Sequence, residues 1–228
     1  MGMIHSGHLT SDRYGIPQLT AILKAINPDV VLTEIPPDRF SAAVTEFQTK
    51  DTITEPRVRR FPEYVNVLFP LTKEMDFDII PTAGWTKPMA DARSKRLDEI
   101  SKDPEWTERW VRYQKAIAAA DSAVAAGGGE DDPYWVHTDG YDNASEIVLS
   151  VYNELFNDEL GSGGWGNINV SHYSYIADAL DSLEGQGKLI LITYGAGHKG
   201  WFLRQLRKRG DIELLDMKPF LDLALLND

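Results

Sequence analysis

His5, Glu34 and His198 are the residues whose types and contexts best suit chemistry in this chain. His5 closes Gly2-Met3-Ile4-His5 and His198 closes Gly195-Ala196-Gly197-His198, so both imidazoles stand in a Gly-x-x-His context. Glycine there lets the backbone turn sharply and approach a ligand closely. Glu34 ends the strand that the apolar run Val30-Val31-Leu32 opens. Two imidazoles and a carboxylate can activate water by general acid–base catalysis. They can equally hold a divalent cation (Mn, Co or Zn) whose bound water ionises near neutral pH. Each residue has a plainer alternative. His198 can bond a carbonyl at a helix start, and Glu34 can pair with Arg39 or with an arginine further on.

These residues meet only if the chain places them together. Val30 to Leu32 reads as a buried strand, Phe77 to Pro81 as another strand and Leu189 to Tyr194 as the strongest strand signal, and Met1 to His5 reads as a short first one. The shortness of that first strand leaves open a start further upstream. Ile16 to Ile26 has helical apolar spacing and ends at Asn27-Pro28; Pro36-Pro37 stops the strand that follows it. A second helix capped by Asp38 is expected to run to about Lys50. Pro88 to Ala126 predicts a long helical region broken near Asp103-Pro104. Helices over Glu146–Leu160, Asn169–Leu183, Trp201–Arg209 and Phe220–Leu226 follow, with a last short strand at Ile212–Leu215. Strands that alternate with helices give an α/β fold with a mostly parallel central sheet. The chain reads as one domain, residues 1–228, with a helical insertion over roughly 86–185. In such sheets ligands bind beyond the carboxyl ends of the strands, where His5, Glu34, the Thr82–Trp85 segment and His198 all fall.

Composition removes whole classes of function. The sequence has no cysteine, which excludes disulfides, thiolate metal sites and cysteine nucleophiles. A net charge of −12 disfavours nucleic acid and anionic membrane surfaces as partners. No apolar run reaches membrane-span length, and the start lacks a signal-peptide pattern, so a cytoplasmic protein acting on a small molecule or peptide is expected. The Gly-x-Ser-x-Gly elbow, the phosphate loop and the His-Glu-x-x-His helix are all missing.

Several residues are candidates for support. His8 lies close enough to His5 to take its place. Arg57 and Arg60, with Glu63 and Tyr64, belong to a segment where three arginines stand among two glutamates. It can be an ionic scaffold or an anion clamp. Lys199 follows His198 and could also face developing negative charge, while Gly195 and Gly197 shape the approach to it. Asn169 and His172, three apart, share one helix face. Gly127 to Asp132 reads as a flexible acidic loop, and Asp132 to Thr138 carries ring and carboxylate groups suited to a lid.

The three motifs, with Arg39 five residues beyond Glu34, resemble the superfamily that groups TraB and Tiki proteins, erythromycin esterases and ChaN haem-binding proteins. The resemblance follows the order and rough spacing of the motifs along nearly the whole chain, with residues 51–166 matching only loosely. It implies a hydrolase of an ester or amide bond, with His5, Glu34 and His198 as the site, metal-held or metal-free, and Arg39 in support. ChaN-like members imply the alternative of a non-catalytic protein for haem or another small ligand.

Overall fold

The computed structural model describes residues 1–226. Four strands form one all-parallel sheet: β1 (Gly2–Met3), β2 (Val30–Thr33), β3 (Asp78–Pro81) and β4 (Ile190–Gly195), in the spatial order β1-β4-β2-β3. The centre is the β2–β4 pair, with Val30 opposite Ile190 and Thr33 opposite Thr193. β2 is buried along its whole length, as the apolar run Val30-Val31-Leu32 requires, and Thr33 is buried with it. Helices Ile16–Ile26 and Lys218–Leu225 pack on the core that contains Leu19, Ile22, Val31 and Leu191. Helices Trp165–Leu183 and Ala196–Leu206 cover a second core of Leu32, Ile176, Tyr194 and Phe202.

The middle of the chain is helical, in the segments Lys87–Lys102, Thr107–Gly127, Asp139–Phe156 and Trp165–Leu183. The break at Asp103-Pro104 has a local cause: the Asp103 side chain accepts from the Glu105 N–H, and proline cannot extend the preceding helix. The first three of these helices have their own apolar centre, where fully buried Phe156 meets the rings of Trp106, Trp110, Tyr113 and Tyr152.

Three expectations change. Ile212–Leu215 forms no strand; it pairs with neither sheet edge, and Leu214 and Leu215 stand exposed. Helix Pro37–Lys50 begins one residue before Asp38, which sits in its first turn and does not cap it. The acidic loop is tied down: Arg13 bonds the Gly128 carbonyl and pairs with Asp131 and Asp132, and Ser11 donates to Asp131. Asp132 caps Pro133–Val136, whose Val136 is fully buried, so this segment is part of the packed structure.

Candidate functional site

All four strands deliver their carboxyl ends to one place. Glu34 is the residue after β2, His5 comes two residues after β1, and His198 lies in the first turn of the helix that follows β4. The Glu34 carboxylate is buried between the two imidazoles. Its Oε2 lies 3.8 Å from His5 Nε2, and its Oε1 lies 4.0 Å from His198 Nε2. The Gly195 N–H donates to Oε2 at 2.9 Å and sets the carboxylate's orientation.

Each histidine is held from behind in a defined proton arrangement. His5 Nδ1 donates to Glu63 Oε1 at 2.7 Å. His198 Nδ1 donates to Asn169 Oδ1 at 2.7 Å, and the Asn169 amide is itself oriented by donating to the Trp165 carbonyl. Both rings therefore turn Nε2 toward Glu34. His172 is the reverse case. The Gly84 N–H donates to its Nδ1 at 2.8 Å, so the neutral ring carries its proton on Nε2, which is buried with no partner. Gly84 permits this approach: a Cβ there would lie 2.2 Å from Ser171 Oγ.

The surroundings push the two facing histidines apart. Burial pulls His5 down, but its hydrogen bond to Glu63 and the charges of Glu63 and Glu34 outweigh that and raise it. Burial, then the neighbouring His172 and His5, hold His198 well below the ordinary value. Burial raises Glu34, against the charge of His5 and the Gly195 hydrogen bond. His5 also adopts a left-handed backbone with φ of 49°, a strain that non-glycine residues carry at functional positions. The rings around the site are aromatic: Trp165 stacks on His198 at 4.5 Å, and Phe61 meets His5 edge-on at 5.1 Å. Access falls on the His5 side, because the His5 side chain is 35% exposed against 12% for His198 and 8% for Glu34.

Glu34, His172 and His198 also form a group that could hold a metal ion, with one ligand atom from each within 4.8 Å of the others. As arranged, His198 and Glu34 offer lone pairs, whereas His172 offers an N–H. Holding a cation at all three would require His172 to move its proton to Nδ1, against the Gly84 N–H.

The remaining candidates fall into two sets. Tyr64 stands behind the site: its hydroxyl accepts from the Glu34 N–H and donates to the Thr193 carbonyl. His8 is turned away from it. His8 Nε2 accepts from the Ile4 N–H and Nδ1 donates to the Tyr14 carbonyl, so the ring is a buried strut and not an alternative to His5. Arg39 pairs with its neighbour Asp38 and not with Glu34. Lys199 is locked to Asp142 and the Thr138 carbonyl. A Cβ on Gly197 would meet the Trp165 ring at 3.6 Å, an ordinary contact. Glu55 spends its Oε2 on the N–H groups of Arg57 and Val58, and Glu63 gives Oε1 to His5 while its buried Oε2 meets no arginine, so no ionic scaffold forms. Among the described residues, no carboxylate pairs with Arg57, Arg59 or Arg60.

No protein-family model, curated protein or solved structure matches this chain. Its function must be read from the site itself.

Two substitutions probe the frame. Tyr64→Phe strips partners from two buried backbone groups and should cost about 2–3 kcal/mol, read as a lower urea midpoint. A Cβ at Gly195 would lie 2.6 Å from His5 Nε2. Gly195→Ala should therefore displace the His5 ring, cost about 1–3 kcal/mol and lower the His5 titration midpoint measured by NMR.

Proposed function

We propose that the chain is a hydrolase that activates water for attack on an ester or amide carbonyl. The observation that carries this reading is the buried Glu34 carboxylate between two imidazoles whose surroundings drive their proton affinities in opposite directions, an arrangement that separates a base from an acid. His198 Nε2, unprotonated and oriented by Asn169, takes a proton as the water oxygen bonds to the carbonyl carbon. The bond to the leaving oxygen or nitrogen then breaks, and His5, protonated and held by Glu63, supplies the leaving group's proton from Nε2. Glu34 stabilises the His5 cation and accepts the water's second hydrogen bond. The resemblance of the three motifs to the esterase and Tiki-like superfamily supports the same reaction class. The unpaired Arg57 and Arg60, just before and at the end of the short helix Val58–Arg60, favour a substrate that carries an anionic group.

The test is hydrolysis of a panel of chromogenic esters and amides, neutral and carboxylate-bearing, with and without a chelator. Turnover that survives chelation and prefers carboxylate-bearing substrates is expected. Turnover lost on chelation and restored by manganese, cobalt or zinc would replace the base at His198 with a metal-bound water. No turnover, together with a Soret band on haem titration that fails in His198→Ala, would leave a ligand-binding protein instead.

A further inference from the structure

His172 lies outside the acid–base pair, yet it is the most deeply buried ring at the site, with 0% exposure. Its Nε2 is a polar atom with no partner. Leaving a buried N–H unpaired costs about 1–3 kcal/mol, so such a group needs an explanation. The Gly84 N–H fixes which nitrogen bears the proton, and glycine at 84 is what allows that contact. His172 forms a group of three with His198 and Glu34, and because its Nδ1 is spent on the Gly84 N–H, Nε2 is the nitrogen it has left to offer there.

Ligand atoms in this group lie within 4.8 Å of one another. The centre of such a triangle is no more than about 2.8 Å from each corner, which is hydrogen-bond distance. A zinc ion needs about 2.0–2.2 Å to nitrogen and oxygen ligands. In tetrahedral coordination two such ligands stand about 3.4 Å apart, so from the observed 4.0 Å between His198 Nε2 and Glu34 Oε1 the two side chains would have to close in around it. The donor count agrees. One N–H and two acceptors match a water molecule, which accepts one hydrogen bond and donates two while keeping a second lone pair for attack.

We infer that His172 is a neutral hydrogen-bond donor that seats the attacking water: its Nε2–H holds the water oxygen while His198 Nε2 and Glu34 take the two hydrogens. The role as water seat stands on the geometry; the role of that water as nucleophile rests on the hydrolase reading above. His172 then positions the nucleophile without exchanging a proton, and it is not a metal ligand.

The test separates the two claims. In the full chain with 15N-labelled histidine rings, His172 should carry its proton on Nε2 and His198 on Nδ1 from about pH 5.5 to 8. The His172 Hε2 should also show a cross-peak to a long-lived water. A proton on His172 Nδ1, or no water cross-peak, overturns the seat. On any substrate the wild type turns over, His172→Leu should lower kcat about 10²-fold with KM within threefold, and His172→Gln, which keeps an N–H, should recover at least tenfold of it. Equal losses in the two variants would reduce His172 to a structural support. If the water and both tautomers are found but no substrate is hydrolysed, the hydrolase reading fails and the water seat stands.

Discussion

Replacing His198 by alanine is expected to lower kcat/KM on the best ester or amide by about 10²–10⁴-fold while leaving the circular-dichroism spectrum unchanged. The magnitude is that of a general base removed from the reacting water. The same arrangement sets the pH dependence of the wild type. Burial keeps His198 unprotonated through the neutral range, so no acid limb is expected near the ordinary histidine value. His5 works the other way. It is needed protonated, and its affinity is raised by Glu63 and Glu34 against the effect of burial, so the rate should fall as pH rises through a value above 6.5. His5→Gln should abolish that alkaline limb along with most of the rate. A limb that survives in His5→Gln would belong to another group, and the acid role would pass from His5.

How much of this was legible in the sequence depends on whether a feature is written locally. The strand ends are local: apolar runs at Val30 and Leu189, each closed by a polar or glycine-rich turn, were enough to bring His5, Glu34 and His198 together. The three-residue spacing of Asn169 and His172 placed them on one face, as the helix Trp165–Leu183 shows. What those two residues do was not legible. Their roles come from Gly84 and His198, 88 and 29 residues away, and only packing supplies such partners. Lys199 misled for the same reason, since its partner Asp142 is 57 residues distant. His8 misled because a loop histidine gives no sign that both its nitrogens will be consumed by backbone groups. Ile212–Leu215 has strand-like residues, but a strand needs a neighbour, and this segment lies beside neither β1 nor β3. A four-residue segment cannot carry that information.

The histidines also make the fold sensitive to mild acid, independently of catalysis. His137 resembles His8: Nε2 accepts from the Gly2 N–H, and Nδ1 donates to the Pro133 carbonyl. Burial first, then nearby positive charge, pushes His137 down to about 3, and burial alone takes His172 to about 3. His8 and His198 are lowered as well, again chiefly by burial. Such rings stay neutral when folded but take up protons when unfolded once pH drops below about 6.5, so the unfolded state binds more protons and stability falls with pH. The slope approaches about 1.4 kcal/mol per pH unit for each ring once the unfolded ring is mostly protonated, so His137 and His172 together remove roughly 3 kcal/mol between pH 6.5 and 5. Raised groups oppose this. His5 contributes stability that is complete below 6.5 and lost as pH rises through its folded value, and burial-raised Glu34 and Asp142 ease the low-pH side. The lowered histidines outnumber His5, and the carboxylates act mainly at the acid end of the window. The urea midpoint should therefore drop steadily from about pH 7 to 5 and drop less in His137→Gln, whose amide oxygen can still accept from the Gly2 N–H without taking up a proton. A midpoint flat across that range would mean that these rings protonate within the folded state, and the neutral base assigned to His198 would lose its physical ground.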